Sequence, residues 1–189
     1  AAAMRYTESR MTRLSEDVLK DLDKDTVNHT ATYDDMGKEP TVMPTRAPLL
    51  LINGSEGVSS GFAQKILPRN PKDIKKYLNS VLQGKKSTPK LVPYYEGFTG
   101  TIEQGETSNQ WLIKGVVKRV GINKVVISEV PISYDLKGYI NVLDDLEDRK
   151  IIQSYRDKSE NDKFLFEVMI QSKSLKSWDD ETLFQKLKL

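Results

Sequence analysis

The chain has 189 residues, no cysteine and one histidine, with 30% charged residues and a formal net charge of +2. These counts exclude disulfides, thiolate metal sites, histidine-based triads and multi-histidine metal centres. No apolar run approaches the roughly 20 residues that cross a bilayer. We expect one large or two small globular domains, in which any catalysis depends on tyrosine, carboxylate, lysine or arginine side chains.

The first half of the chain predicts two helices separated by a loop, a strand and a turn. Apolar residues recur at helical spacing over about residues 7–27, which predicts an amphipathic helix. A polar loop follows over residues 28–47, and the apolar residues 48–52 predict a short buried strand. Pro71 opens a second helix, and Gly84 is a natural C-cap for it.

The second half of the chain changes period and predicts strands. Residues 111–118 and 125–130 are expected to form two strands joined by a hairpin turn at residues 121–123, and residues 164–170 a further strand. Helices are predicted over residues 136–146 and 179–189, the second with Asp179 or Asp180 near its N-cap.

The composition changes between Gly84 and Pro93, where a helical and basic part gives way to a part with mixed elements. We therefore predict two domains, over residues 1–84 and 85–189. The fold class is predicted as α+β, with an antiparallel sheet in the second domain.

A tyrosine near the start of the chain is accompanied by arginines. On a helix, Tyr6, Arg10 and Arg13 share a face. A phenol with a pKa of about 10 is a poor nucleophile at neutral pH, but guanidinium groups favour the phenolate and can hold a phosphodiester. The alternative is a surface helix with cation–π contacts, and spacing alone favours that alternative.

A glycine-rich turn over residues 53–61 surrounds one apolar side chain, Val58. The turn could cradle a phosphate, although it lacks the Gly-Lys-Ser/Thr of a nucleotide-binding loop. If Val58 is exposed, it could act as a wedge between stacked bases. If the turn is only structural, Val58 lies in the core, which is the more common outcome for a lone valine.

A basic stretch extends from Lys65 to Lys90 and contains a single acid, Asp73. It could follow a phosphate backbone, or it could be a solvated helix face. The sole histidine, His29, is interpreted as structural, and the acidic groups at residues 144–148 and 179–181 as helix faces and caps. We predict no metal ligand in the chain.

Several stretches, in order, carry a resemblance to one family. They are residues 2–8, 33–45, 48–61, 66–70, 93–103 and 127–132. Together they resemble the DNA-cleaving, A-type subunits of type IIA DNA topoisomerases. The earlier stretches are similar to bacterial gyrase and topoisomerase IV, and the last two to the eukaryotic enzymes. This mixture resembles the medium-subunit branch of the family found in T-even phages.

The resemblance implies specific roles for several residues. Tyr6 matches the nucleophile that attacks a DNA phosphate and forms a 5′-phosphotyrosyl bond, and Arg5 matches the neighbouring arginine that contacts the scissile phosphate. Val58 occupies the position of an isoleucine that inserts between base pairs and bends the DNA. The remaining predicted DNA contacts are Arg10, Arg13, Lys65 and Arg69.

The resemblance also implies an architecture. Residues 1–84 are expected to form the C-terminal part of a winged-helix cleavage domain that carries the active-site tyrosine. Residues 85–189 are expected to form the α+β tower domain that supports the bent DNA. Since the tyrosine motif lies mid-chain in the family, we expect this chain to be a fragment that is inactive alone.

The implied cofactors are Mg²⁺ and ATP, both bound by other domains or subunits and neither by this chain. The implied partners are double-stranded DNA, a second copy of the cleavage subunit, and an ATPase/toprim subunit, with no membrane. The expected location is the cytoplasm.

Three functions remain open at this point. The chain could be the tyrosine-bearing part of a type II topoisomerase that acts in ATP-dependent double-strand passage. It could instead be a non-catalytic module that binds and bends DNA, with Tyr6 inert. It could also be a scaffold whose α+β half mediates assembly.

Overall fold

A computed structural model describes residues 8–20, 27–161 and 163–189. The chain divides into two compact units, Ala1–Leu91 (unit 1) and Val92–Leu189 (unit 2). The division follows Leu91, a few residues beyond Gly84. Both units combine helices with antiparallel strands, which confirms the predicted α+β class.

Unit 1 consists of short elements. The helices and strands of unit 1 are α1 (Arg13–Val18), β1 (His29–Ala31), β2 (Lys38–Pro40), α2 (Leu49–Asn53), β3 (Ser55–Ser59), β4 (Phe62–Ile66) and α3 (Pro71–Leu82). β1 and β2 form a two-stranded sheet in which His29 pairs with Pro40, and β3 and β4 form a hairpin in which Ser55 pairs with Ile66.

The helix α3 begins and ends where local signals place it. Asn70 accepts a hydrogen bond from the Lys72 N–H at 2.9 Å, and Pro71 occupies the first turn, where a missing N–H costs nothing. The helix ends at the C-cap Gln83, and Gly84 follows with a positive φ of 65°. The predicted second helix is therefore confirmed.

The first predicted helix is much shorter in the structure than in the sequence pattern. Thr12 has an extended backbone and caps α1, because its hydroxyl accepts a hydrogen bond from the Ser15 N–H at 3.3 Å. The helix ends at Val18, and residues 1–7 and 21–26 lie outside the described residues. The extended prediction of residues 7–27 is thus wrong over residues 8–12, where the cap competes with helix.

The predicted strand at residues 48–52 is also wrong, since the structure has a helix there. Pro48 precedes α2, and its carbonyl accepts hydrogen bonds from Leu51 and Ile52 at 2.9 and 3.1 Å. Leucine is a strong helix former, and a short apolar run cannot be assigned by periodicity alone. None of the α2 residues is fully buried.

Unit 2 is built on a four-stranded antiparallel sheet in the order β7–β8–β10–β9, and a separate pair of strands, β5–β6. Its elements are β5 (Thr101–Gln104), β6 (Trp111–Lys114), β7 (Val116–Arg119), β8 (Lys124–Glu129), α4 (Leu136–Asp148), β9 (Ser154–Asp157), β10 (Phe166–Met169), α5 (Ser172–Ser177) and α6 (Asp180–Leu187).

One predicted strand of unit 2 is divided in two. Residues 111–118 form β6 and β7, which pair with different partners on either side of Gly115. A Cβ at Gly115 would overlap the Glu129 carbonyl oxygen, so only glycine permits this close approach. The β7–β8 hairpin, the helix α4 and the Asp179 cap of α6 are confirmed.

The core of unit 2 lies on one face of the sheet. Alternate residues of β8 and β10 are completely buried, as a sheet with one covered face requires. The Tyr139 ring lies 5.4 Å from that of Phe166, and its hydroxyl donates to the Leu187 carbonyl at 2.9 Å. The core includes Val125, Ile127, Tyr139, Leu143, Phe166, Val168, Leu183 and Leu187.

An arginine joins the end of the sheet to the last two helices. The Arg119 guanidinium donates to the carbonyls of Leu175 and Trp178 at 2.6 and 2.8 Å, and lies 3.4 Å from the Asp180 carboxylate. These contacts hold the α5–α6 turn against β7. No helix in the described ranges has the length and apolarity that a membrane crossing requires.

Candidate nucleic-acid interface

The two predicted catalytic residues, Arg5 and Tyr6, lie outside the described residues. Arg10 and Arg13 are both exposed. Arg13 is the first residue of α1, whereas Arg10 precedes the Thr12 cap. The prediction that Arg10 shares a helical face with Arg13 is therefore wrong, because the helix begins after Arg10.

The hairpin β3–β4 presents the predicted wedge residue to solvent. Val58 is 89% exposed, and it pairs with Ala63 one step from the hairpin turn. The interpretation that Val58 lies in the core is therefore wrong. The exposure of Val58 leaves its side chain accessible to a ligand.

Two glycines shape this hairpin. Gly54 joins α2 to β3 with φ 72° and ψ 179°, a region that is essentially restricted to glycine. A Cβ there would lie 2.5 Å from the Ile66 carbonyl oxygen. Gly61 occupies the second turn position with φ 77°, where a Cβ would meet no neighbour within 4 Å. The backbone thus sets the direction of the hairpin without help from side-chain packing.

Charged and polar side chains pair across the hairpin. The Lys65 ammonium lies 3.2 Å from the Glu56 carboxylate, and both side chains are largely exposed. On the other face, the Gln64 amide donates to the Ser55 hydroxyl at 3.1 Å. Lys65, predicted as a phosphate contact, therefore lies towards the open end of the hairpin, and its ammonium is paired with a carboxylate.

Arg69, a second predicted DNA contact, is half-buried and bonded to the backbone. Its guanidinium donates to the carbonyls of Leu67, Pro68 and Leu91 at 2.6, 3.2 and 3.0 Å. These bonds fix the segment between β4 and α3 relative to residue 91. The Arg69 guanidinium is thus largely engaged with backbone carbonyls, and its predicted contact with DNA stays a prediction.

The basic stretch extends along the exposed side of α3. Lys72, Lys75 and Lys76 are exposed, and Lys76 lies 3.0 Å from Asp73. The exposed lysines continue after the helix at Lys85 and Lys86. Such a row can neutralise phosphates, which gives affinity without base specificity.

The polar segment before α2 is ordered around an aspartate. The Thr32 hydroxyl donates to Asp34 at 2.6 Å, and this bond, followed by that from the Met36 N–H, lowers the pKa of the carboxyl. His29 contacts the Val27 carbonyl through Nδ1 at 2.9 Å, which fits its structural interpretation. The pairing of β1 with β2, which encloses residues 32–37, was not expected from the sequence pattern.

Two tyrosines of unit 2 are held in their neutral form. Burial, followed by Tyr134, raises the pKa of Tyr139. A hydrogen bond to Asp144 at 2.5 Å is the main cause that raises the pKa of Tyr155 to about 12. A nucleophilic phenol requires a shift in the opposite direction, so these surroundings do not favour the phenolate at either residue. In the described ranges, no three His, Asp or Glu side chains form a group that could hold a metal ion.

Known proteins provide an independent comparison. The family model for the A subunit of DNA gyrase/topoisomerase IV matches residues 1–189. The chain is 34% identical over 190 residues to the A subunit of DNA topoisomerase 4 from Staphylococcus epidermidis, covering 91% of this chain and 24% of that protein. It is also 34% identical over 190 residues to the A subunit of DNA gyrase from Helicobacter pylori, covering 92% and 23%.

A solved structure supports the fold. The DNA-binding, cleavage and re-ligation domain of Plasmodium falciparum topoisomerase II matches all of this chain and 26% of its own, with a TM-score of 0.81 and 24% identity. The chain spans about a quarter of the length of the curated relatives it matches. On the match over its whole length, the chain belongs to the family of DNA gyrase and topoisomerase IV A subunits.

Proposed function

We propose that this chain is the tyrosine-bearing part of the DNA breakage-and-rejoining subunit of an ATP-dependent type II topoisomerase. One observation supports the proposal most directly: a member of this family presents Val58, 89% exposed, next to the turn of a hairpin, in a unit that also carries a row of exposed lysines on α3. Unit 1 would complete the winged-helix cleavage domain, and unit 2 would be the tower. The activity belongs to the complete subunit and its partners.

The proposed reaction is a transesterification at Tyr6. The phenolate oxygen attacks a DNA phosphorus, the P–O3′ bond breaks, and the 3′ oxygen leaves and takes up a proton. A 5′-phosphotyrosyl bond replaces the phosphodiester, so the reverse attack by the 3′-hydroxyl reseals the strand without a separate energy source. Arg5 would neutralise charge on the phosphate, as guanidinium groups do in such transition states.

Val58 would insert between base pairs and bend the duplex. Smooth bending of a 20–30 base-pair site costs about 1–6 kcal/mol. Burial of one valine side chain contributes about 1.5 kcal/mol, so two copies in a dimer provide about 3 kcal/mol. Val58 alone therefore does not offset a large bend, and phosphate contacts from the α3 lysines would supply further free energy.

The remaining parts of the reaction are assigned to other chains. A second copy of the subunit would cut the opposite strand, and an ATPase/toprim subunit would bind Mg²⁺ and ATP. Two stretches resemble the eukaryotic enzymes, and they meet where the Glu129 carboxylate accepts hydrogen bonds from the Thr99 N–H and hydroxyl at 3.1 and 3.0 Å. The mixture of bacterial-like and eukaryotic-like stretches is the basis on which we propose the medium-subunit branch of T-even phages as the source of the chain.

Replacement of the nucleophile tests the proposal. In the complete enzyme, Tyr6→Phe removes the attacking oxygen, so we expect covalent protein–DNA adducts to disappear while DNA affinity changes less than about twofold. Tyr33→Phe, at a fully exposed tyrosine of the same unit, is the matched control and should form adducts normally. Adducts that persist in Tyr6→Phe would show that the assignment is wrong.

The exposed hairpin also favours a second function, a DNA-bending module in which Tyr6 is inert. The same experiment separates the two. A parent protein that bends duplex DNA but forms no adduct, even before substitution, is a bending module. A parent that binds weakly and with little salt dependence acts as a scaffold instead.

A further inference from the structure

We propose that Phe62 is a second DNA-contacting side chain, which packs its ring against a nucleotide next to the step that Val58 opens. The inference rests on the proposed function and names a further positioning residue for it. It would make the β3–β4 hairpin an insertion element with an apolar side chain on each face.

The register of the hairpin places the two side chains on different faces. Successive residues of a strand alternate between faces, and directly paired residues share one. Val58 pairs with Ala63 and shares its face with the Glu56–Lys65 pair, whereas Phe62 pairs with Ser59 and shares its face with Gln64 and Ser55. Phe62 is also one residue nearer to the turn than Ala63.

Phe62 is as available to a ligand as Val58 is. Its side chain is 80% exposed, and both residues line the same surface depression of about 410 Å³ at this end of the hairpin. A ligand that reaches Val58 therefore also reaches Phe62. At 80% exposure, the Phe62 ring is not covered by the described residues of unit 1.

The chemistry around the ring suits a nucleic acid. The other residues of its face are the polar Ser55, Ser59 and Gln64 together with Gly57 and Ile66, and none carries a charge. The nearest carboxylate on the hairpin, Glu56, belongs to the other face and is paired with Lys65. An aromatic ring within such a polar, uncharged border packs against bases and sugars without repelling phosphate.

Phe62 together with Val58 would also supply more of the free energy that bending of the duplex requires. Val58 is a short wedge, and its burial covers only part of the cost of a large bend. A phenylalanine buries far more apolar surface than a valine. The larger contact would thus come from the opposite face of the same hairpin, next to the opened step.

The test uses the complete subunit, reconstituted with its partner, and a duplex labelled with a fluorophore at each end. Phe62→Ala should weaken duplex binding by about five- to tenfold and reduce the bend measured by energy transfer. Phe62→Trp, which keeps an aromatic ring, should bind and bend as the parent does. Ile122→Ala is the matched control, because Ile122 is 68% exposed at another hairpin turn.

The outcomes separate this inference from the proposed function. Unchanged affinity and bend in Phe62→Ala would overturn the inference, even if Tyr6→Phe still abolishes adducts. A lower melting temperature of the complete protein with an unchanged bend would overturn it too, since Phe62 would then be covered by protein. If the parent itself neither bends DNA nor forms adducts, the proposed function fails whatever Phe62 does.

Discussion

The two units of this chain differ in how many of their apolar side chains are buried. Unit 2 has an extensive core between its sheet and the helices α4 and α6, although some apolar side chains, such as Ile122, are exposed. Among the described residues of unit 1, the buried apolar side chains are Val27 and Ile74, whereas many others are exposed. The exposed set includes Met11, Leu14, Tyr33, Met36, Leu50, Val58, Phe62, Val81 and Leu82.

This contrast suggests different roles for the side chains of the two units: fold stability in unit 2 and binding in unit 1. A closed core makes unit 2 a region whose side chains mainly stabilise its own fold. A large exposed apolar surface marks a binding surface, and in unit 1 it coincides with exposed lysines and with the hairpin. Under the proposed function, unit 1 would carry the contacts with DNA and other chains. Variants that affect one unit but not the other therefore test this division.

The largest expected effect is on the core of unit 2. Phe166→Ala removes a completely buried ring beside Tyr139, and it should lower the free energy of unfolding by about 3–5 kcal/mol. Leu82→Ala, at a residue of α3 that is 84% exposed, should change it by less than about 0.5 kcal/mol. Urea unfolding of the 189-residue chain, followed by circular dichroism, measures both. Equal losses would contradict the contrast between the units.

A smaller effect is expected from the backbone of the hairpin. Gly61→Ala adds only left-handed strain, which costs about 1–2 kcal/mol. Gly54→Ala adds a contact with the Ile66 carbonyl as well, so it should destabilise the hairpin further and abolish DNA bending by the complete protein. Amide hydrogen exchange in β3 and β4 reports the local opening. If Gly61→Ala were the more harmful, the turn and not the α2–β3 junction would set the hairpin.

The smallest effect is electrostatic. Glu56→Gln removes the carboxylate that pairs with Lys65, which frees a cation near DNA, and should raise duplex affinity about two- to fivefold and increase its salt dependence. Glu103→Gln disrupts a similar cross-strand pair with Lys114 in unit 2. That control should leave affinity unchanged, as measured by fluorescence anisotropy. A gain in the control alone would place the DNA contact in unit 2 instead.

Several features of this protein follow from the sequence because their causes are local. Asn70 and Pro71 begin α3, Asp179 caps α6, and a hairpin turn connects β7 to β8. Each depends on side chains within a few residues of the backbone groups that they satisfy. The resemblance to a family, carried by motifs in order, is confirmed by the match over the whole chain.

Other features were decided only by the tertiary structure. The run at residues 48–52 is a helix, residues 111–118 divide at Gly115, and Val58 is exposed although a lone valine is usually buried. Arg69 belongs to the same basic stretch of sequence as the exposed lysines of α3, but its guanidinium is half-buried and donates hydrogen bonds to three backbone carbonyls. At residues 48–52 the apolar run is too short for its periodicity to distinguish a helix from a strand. In the other three cases, burial and pairing depend on which distant residues come close, and no local pattern contains that information.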